Sequence, residues 1–354
     1  TIEDRTGARA VVQIIQPLLD PMFNDNSFGY RPGRGREHAL LRAMQLTAAA
    51  ADMLWVVEDV KDAFDVVPLN RALDIVRARL PNAAATWRLI ERIVRRGMKR
   101  GLRQGNCLSP LLLNLCLDRL WSKEASDLIR VADDLLVVCR TEQEALEAYR
   151  RLQQWLRPAG LQLKGTPETA IRNLGDGDTA DWLGYRISRS AAGFQVRIGA
   201  KSWNHLAQSL EEAHTHSGSP LRTRSILDGW FGAQGATYAD EDQEQVLRRV
   251  DEICRELALD EAFREDHLLE RWRAAYARWC RLRQNCFGTT GAGPTGTSNG
   301  GSACHAFSDE DSDPRCDGAP PGAPSLLFPT AEKITLTTDG CCDRACHDGG
   351  WAVV

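Results

Sequence analysis

Three aspartates in two apolar stretches have the chemistry to hold a divalent metal ion. Asp133 and Asp134 stand side by side between two runs rich in Val, Ile and Leu. Such runs predict a β-hairpin with the acids at its turn. Asp59 ends another apolar stretch, residues 55–59, which predicts a further strand. Asp is also common in ordinary turns, but if the strands pair, the three carboxylates meet at one edge of a sheet.

Converging carboxylates repel one another, so their pKa values rise unless a cation neutralises them. Ligand sets made only of oxygen suit Mg²⁺, which also binds substrate phosphates. Two such ions about 4 Å apart can hold the attacking and the leaving oxygen of a phosphoryl transfer. The three aspartates therefore predict a site with two Mg²⁺ ions for chemistry on phosphates.

Four short motifs resemble those of reverse transcriptases in their order along the chain. Three of them resemble motifs A, B and C of that family, and an upstream block resembles one in the group II intron–like, bacterial branch. They are residues 59–65 (Asp-Val-Lys-Asp-Ala-Phe-Asp), 101–110 (Gly-Leu-Arg-Gln-Gly-Asn-Cys-Leu-Ser-Pro), 131–134 (Val-Ala-Asp-Asp) and 27–34 (Ser-Phe-Gly-Tyr-Arg-Pro-Gly-Arg). The resemblance implies an RNA-directed DNA polymerase that extends a primer on an RNA template.

The family resemblance also implies an α+β fold, a right-hand polymerase with an antiparallel sheet and helices. Residues 1–190 are expected to form partial fingers and the palm, and 191–285 a helical thumb or maturase-like region. Residues 286–330 are rich in Gly, Ser, Thr, Pro and Asp, which predicts a disordered linker. Residues 331–354 resemble the first β segment of a ribonuclease H domain, with Asp339 as its first metal-binding carboxylate. One acid cannot hold two Mg²⁺ ions, so no ribonuclease H activity is expected.

Roles for individual residues follow from the same resemblance. Asp59, Asp133 and Asp134 are implied to bind the two Mg²⁺ ions and to carry catalysis. The ring of Phe64 is implied to lie under the sugar and to exclude a ribose 2′-hydroxyl. The residues implied to bind the nucleotide or the template are Asp62, Ala63, Phe64, Arg31, Arg34, Gln104 and Gly105, and those of the primer grip are Leu183, Gly184 and Tyr185.

Structural roles are the alternatives for several of these residues. Taken alone, Phe64 fits a core residue, and Asp59 fits a helix N-cap. Arg31 and Arg34 also fit a salt-bridged surface loop, and residues 182–185 also fit a hairpin turn that binds no ligand. The family motifs, rather than these residues in isolation, support the functional interpretation.

Three positions depart from the family pattern. Arg103 replaces a Pro, Val131 replaces a Tyr, and Glu168 stands where the family has a Lys proposed to donate a proton near pyrophosphate, with Lys164 close by in sequence. A carboxylate cannot do the work of a lysine at the leaving group. Two alternative functions follow: an RNA-binding, maturase-like protein that aids intron RNA folding or splicing, or an inactive fragment of a polymerase.

The net charge of −4 conceals strong local charge. Residues 309–317 hold five acids and one Arg, whereas residues 88–103 hold seven Lys or Arg and one Glu. Local basic patches, not the mean charge, set the affinity for phosphates. The expected partners are an RNA template, a DNA or RNA primer and deoxynucleoside triphosphates.

Cysteine usage and hydropathy indicate a soluble, cytoplasmic protein with no membrane partner. The eleven cysteines are scattered, without the paired spacing of a zinc site, and several lie in apolar segments, as reduced thiols do. No apolar run reaches the roughly 20 residues of a membrane helix. The chain opens with Thr1 and ends at Val354 within an apolar run, and the first basic finger strands of the family are missing. A protein truncated at both ends is therefore expected.

Overall fold

The computed structural model describes most of the chain up to residue 287, in the ranges 2–48, 54–95, 100–103, 105–118, 127–191, 193–215 and 219–287. Nearly all of the predicted linker and the whole predicted ribonuclease H segment, including Asp339, lie outside these ranges. Within them, no helix is both long enough and apolar enough to cross a membrane.

The first part of the chain is mainly helical. Its elements are α1 (Ile2–Leu19), α2 (Arg36–Ala48), β1 (Leu54–Asp59), α3 (Ala63–Val66), α4 (Leu69–Arg79), α5 (Ala84–Arg95) and α6 (Leu108–Asp118). Helix α1 buries Val11, Ile15 and Leu19 on one side, as their helical spacing predicts. It contains Pro17 and ends two residues later, at Leu19.

The middle of the chain holds most of the strands, and helices follow. The elements are β2 (Leu128–Val131), β3 (Asp134–Cys139), α7 (Glu142–Leu156), α8 (Pro167–Ala170), β4 (Ile171–Asn173), β5 (Ala180–Trp182), β6 (Tyr185–Ser190), β7 (Gly193–Ile198), α9 (Ala200–His214), α10 (Ser219–Ala233), α11 (Gln243–Glu256) and α12 (Glu265–Phe287). Helix α7 begins where the hydroxyl of Thr141 accepts a hydrogen bond from the Glu144 backbone N–H.

The strands form two antiparallel sheets. The first has the order β2-β3-β1-β4 and the second the order β5-β6-β7. Strand β1 pairs with β3 so that Asp59 lies opposite Asp134, and β2 pairs with β3 so that Val131 lies opposite Asp134. The predicted α+β class, with an antiparallel sheet and helices, is confirmed, as are the hairpin and the strand that carry the three aspartates.

The first sheet is covered on both faces. Val56, Leu135 and Val137 pack in one hydrophobic cluster, on the side of α7. Trp55 and Leu136 belong to another cluster, which includes apolar residues of α2, β5 and β6. Successive side chains of a strand point to opposite faces, so both must be apolar. This explains why β1 and β3 are continuous apolar runs rather than alternating ones.

Helices α9–α12 surround a cluster of their own that is rich in aromatic rings. Trp230 and Phe231 are buried there, and the rings of Tyr238 and Trp272 stack with their centroids 3.5 Å apart. The tryptophans of this cluster are therefore core residues.

The start of α6 is held by side chains of the preceding loop and first turn. The helix begins at Leu108. The side chain of Asn106 accepts a hydrogen bond from the Leu108 backbone N–H at 3.0 Å, and the Ser109 hydroxyl donates to the carbonyl of Arg103 at 2.6 Å. Asn106 therefore satisfies one of the backbone N–H groups that the first turn of a helix leaves without a partner.

We expect Thr47→Val to destabilise the fold. Thr47 and Trp55 are fully buried, and the Trp55 indole N–H donates to the Thr47 hydroxyl at 2.9 Å. Valine keeps the shape but leaves the indole N–H without its acceptor, which lowers the free energy of unfolding by roughly 1–3 kcal/mol. Urea unfolding measures the loss. Thr215→Val, at an exposed threonine, is the matched control, and equal effects of the two changes would contradict the expectation.

Candidate active site

Strand pairing brings the predicted aspartates to one end of the first sheet. Asp59 is the last residue of β1 and Asp134 the first of β3, and the two lie opposite each other. Asp133 occupies the turn before β3, and its carbonyl accepts a hydrogen bond from the Val60 backbone N–H at 3.1 Å. The two acidic motifs, far apart in sequence, therefore meet through backbone hydrogen bonds.

The electrostatics of this end of the sheet are those of crowded, partly buried acids. Burial raises the pKa of Asp133, and the charge of Asp59 and a hydrogen bond to its side chain add to the rise. Burial also raises the pKa of Asp134 to about 7; Lys201 acts against this rise, whereas Asp59 and Asp133 increase it. Each carboxyl is therefore held in a place where a bound cation would be favourable.

Asp59 and Asp133 are the pair whose geometry suits a hard divalent cation. Within the ranges that the structure describes, no three His, Cys, Asp or Glu side chains are grouped as for a metal ion. The charge of Asp59 nevertheless raises the pKa of Asp133, as expected of carboxyl groups that lie close together. Mg²⁺ is commonly held by one or two carboxylates together with substrate phosphates. The pair fits such a site, and Asp134 as a third ligand stays a prediction.

Two lysines lie near the aspartates. The Nζ atom of Lys164 is 3.6 Å from Oδ2 of Asp59, and the Lys164 backbone N–H donates to the Asp59 carbonyl at 2.9 Å. Lys201, near the start of α9, lowers the pKa of both Asp133 and Asp134. Sequence analysis named Lys164 only as a neighbour of Glu168, the position that departs from the family pattern. It did not single out Lys201, because nothing in the local sequence around Lys201 separates it from other surface lysines.

Three of the residues predicted to bind the nucleotide lie just after β1. Asp62 is exposed with a left-handed φ of 49°, Ala63 is buried, and Phe64 is half-buried in α3. The rings of Phe64 and Tyr30 lie nearly perpendicular to each other, edge to face, with their centroids 6.4 Å apart. Burial and the charges of the two adjacent aspartates raise the pKa of Tyr30 to about 12. Tyr30, which sequence reasoning missed, therefore belongs to the same site as Phe64.

The motif B loop is tied to α3 by its backbone. The Leu102 N–H donates to the Phe64 carbonyl at 2.6 Å, and the Gly101 N–H donates to the Val67 carbonyl at 3.1 Å. Gly101 has a φ of 78°, and a Cβ there would overlap the carbonyl oxygen of Asp65, so the position requires glycine. Gly105 is exposed, and Gln104 lies outside the described residues.

Arg31 has a structural role in place of its predicted contact with nucleotide or template. Its guanidinium is buried and donates five hydrogen bonds: three to the carboxylate and carbonyl of Asp20 and one each to the carbonyls of Asn24 and Ser27. The five N–H groups of an arginine are thereby used, so none remains for a phosphate in this conformation. Arg34, which pairs with the exposed Asp25, is partly accessible, and its predicted role stays a prediction.

The predicted primer grip is a two-residue hairpin turn between β5 and β6. Leu183 and Gly184 have φ values of 53° and 80°, typical of such turns. Tyr185 is fully buried with the Arg36 guanidinium over its ring at 4.6 Å, so its ring packs in the core, and its predicted place in a primer grip stays a prediction. Arg36 also donates to the carbonyls of Leu183 and Ala233 and thereby joins this turn to the end of α10.

Comparison with known proteins identifies the family. The sequence model described as "Reverse transcriptase (RNA-dependent DNA polymerase)" matches residues 1–187, more than half of the chain. The chain therefore belongs to the reverse transcriptase family. It is similar to Protein YkfC of Escherichia coli K12, at 24% identity over 246 residues, which covers 56% of this chain and 64% of that protein.

Further relatives include the group II intron-encoded proteins that the motifs implied. The chain is 26% identical over 196 residues to a reverse transcriptase-like protein of Chlamydomonas reinhardtii (51% of this chain, 52% of that protein). It is 28% identical over 130 residues to the group II intron-encoded protein LtrA of Lactococcus lactis subsp. cremoris (34% and 21%). The chain thus spans no more than 64% of the length of these relatives. Among solved structures, apo telomerase from Candida tropicalis is similar with a TM-score of 0.43 and 11% identity, over 80% of this chain and 60% of that one.

We expect Asp134→Asn to stabilise the metal-free fold at high pH. The raised pKa of about 7, against the ordinary 3.8, means that the folded state keeps a proton which the unfolded state loses. This contribution to stability therefore falls as the pH rises from about 4 to about 7. The substitution should raise the free energy of unfolding by roughly 1–3 kcal/mol at pH 8 and by much less at pH 4.

Urea unfolding in EDTA at the two pH values measures this effect. Asp181→Asn, at an exposed aspartate paired with Arg186, is the control, because exposed ion pairs contribute little to stability. A gain that is the same at both pH values, or the same in the control, would show that Asp134 carries no buried charge.

Proposed function

We propose that this chain is the core of an RNA-directed DNA polymerase that extends a primer on an RNA template by two-metal phosphoryl transfer. The observation that carries the proposal is the placement of Asp59 and Asp133 at the same end of two paired strands. Membership of the reverse transcriptase family supports the same reaction. The substrates are a primer, an RNA template and deoxynucleoside triphosphates.

The proposed mechanism assigns three tasks to the residues of this site. Asp59 and Asp133 hold the cations, with Asp134 beside them, and so fix where the triphosphate binds. Bound Mg²⁺ ions supply the chemistry of lowering the pKa of the primer 3′-hydroxyl and of stabilising the leaving pyrophosphate. Lys164, 3.6 Å from Asp59, brings positive charge to the leaving group that Glu168 cannot bring. The charge of Lys164 thereby compensates for the family lysine that Glu168 replaces in this chain.

Substrate selection is assigned to Phe64. Its ring is half-buried and packs against Tyr30, and its backbone carbonyl accepts a hydrogen bond from the Leu102 N–H. A braced ring cannot move aside for a ribose 2′-hydroxyl, so the site favours deoxynucleotides. The same bracing explains how a residue that resembles a core side chain can serve as a wall of the nucleotide site.

Asp133→Asn is expected to abolish Mg²⁺-dependent primer extension, with a loss of at least about 10³-fold in rate, because it removes a carboxylate of the close pair. Extension of oligo(dT) on poly(rA) measures the rate, and binding of the template–primer should change by less than about threefold, since the fold is preserved. Asp181→Asn is the matched control. Equal extension by Asp133→Asn and the parent would remove the catalytic assignment.

Phe64→Ala is expected to relax sugar selection. Removal of the ring opens space for the 2′-hydroxyl, so the ratio of kcat/KM for dTTP over UTP should fall by roughly 10–100-fold, which corresponds to about 1–3 kcal/mol. The relevant comparison is Phe287→Ala, at an exposed phenylalanine at the end of α12. An unchanged ratio in Phe64→Ala would return this residue to a purely structural role.

A maturase-like RNA-binding function is the second candidate, favoured by the similarity to a group II intron-encoded protein and by Glu168. It is distinguished by the same variant, because Asp133→Asn would then leave any effect on intron RNA folding intact. For residues 331–354 we propose the opening strands of a ribonuclease H domain with Asp339 as one acid. Cleavage of an RNA–DNA hybrid by this chain alone would contradict the expectation that a single acid is insufficient.

A further inference from the structure

We propose that Arg130 is a positioning residue that holds the catalytic turn, residues 131–134, against the upstream loop, residues 24–34. The proposal rests on the polymerase function proposed above, because it concerns the placement of the same aspartates. Arg130 lies in β2 and is 2% exposed. It directly precedes residues 131–134, which resemble motif C, but none of the four family motifs includes it.

The guanidinium of Arg130 joins three separate parts of the chain. Nη1 donates to the carbonyl of Ala132 at 3.0 Å and to Oδ1 of Asn114, in α6, at 2.7 Å. Nη2 donates to the hydroxyl of Ser27, in the upstream loop, at 2.6 Å. One side chain thus contacts the catalytic turn, the helix that follows motif B and the loop that carries the Arg-Pro-Gly-Arg block.

The backbone around Arg130 makes the same connection. Its N–H donates to the carbonyl of Asn26 at 2.9 Å, and its carbonyl accepts from the N–H of Phe28 at 2.8 Å. These bonds form a short parallel bridge between β2 and the upstream loop at Ser27. The upstream loop therefore extends the sheet beyond β2, next to the turn that carries the aspartates.

The catalytic turn has a strained residue at the point that Arg130 holds. Ala132 has a φ of 57°, a left-handed conformation that L-residues rarely adopt. Gly29 packs so closely that a Cβ on it would overlap the backbone nitrogen of Ala132. Asn114 completes the connection, because its Nδ2 donates to the Gly29 carbonyl at 2.6 Å. The unusual backbone of Ala132 is thus fixed from two sides.

Stability alone does not account for an arginine at this position. A buried guanidinium loses its hydration, and the three acceptors named above are neutral oxygens rather than carboxylates. An apolar side chain of similar length would fill the space without that cost. Such a side chain could not donate hydrogen bonds to Ala132, Asn114 and Ser27 together, because this requires the planar, forked guanidinium of an arginine.

The consequence for catalysis follows from the position of Ala132. It is the residue immediately before Asp133, so a change in its backbone moves Asp133 relative to Asp59 on the neighbouring strand. Displacement of a reacting group by about 1 Å can lower a rate about 10²-fold. Loss of the Arg130 contacts should therefore reduce the chemical step far more than it weakens binding of the template–primer.

The first test compares Arg130→Met and Arg130→Lys with the parent chain in primer extension. We expect Arg130→Met to lower kcat about 10–100-fold, with the KM for template–primer within about twofold. Arg130→Lys, which can donate to some but not all three acceptors, should recover part of the rate. Thr47→Val is the control, because it weakens the core without touching the turn, and its kcat per folded molecule should equal that of the parent.

The second test needs no activity. Hydrogen exchange of Arg130→Met should be faster at the amides of Phe28 and Val60, which bond to the backbone of Arg130 and Asp133, and unchanged in α7. Uniformly faster exchange, or local change with parental kcat, would overturn the proposal and make Arg130 a core residue only. If the parent chain itself extends no primer, the proposed function fails, and the exchange pattern alone then decides whether Arg130 fixes the turn.

Discussion

The antiparallel pairing of β1 with β3 is the constraint on which the site depends. It sets Asp59 opposite Asp134, and the turn that begins β3 delivers Asp133 to the same edge. A shift of one residue in register would turn the aspartates and the apolar side chains to opposite faces. Because both faces of the sheet are packed, such a shift would misplace large side chains in both clusters, and the hydrophobic core thereby protects the geometry of the acids.

The charges of the site are balanced by groups from distant parts of the chain. Lys164 follows α7, and Lys201 begins the helical region after the second sheet. The acids are raised in pKa by burial first and by one another second. The protein therefore stores unfavourable electrostatics in this place, as sites that bind cations and phosphates do, and the rest of the sheet provides the stability that tolerates them.

Strands and acids could be predicted from the sequence because their signals are local. A run of Val, Ile and Leu ending in Asp gives β1, and the hairpin around Asp133 follows from similar runs on both sides. The environments of Arg31 and Tyr185 could not be predicted, since the first depends on Asp20 and the second on Arg36, which meet them only after folding. Local sequence patterns therefore predict strands and turns, whereas contacts between side chains that are distant in sequence form only in the folded chain.

Arg36 couples the β5–β6 hairpin mechanically to the helices that follow it. It lies over Tyr185 and bonds to backbone carbonyls in the β5–β6 turn and at the end of α10, so a single cation fastens the hairpin to the helices that follow it. A force on those helices would therefore be transmitted to the hairpin through Arg36. The position of the β5–β6 turn and the tilt of the helical region would then change together rather than as independent movements.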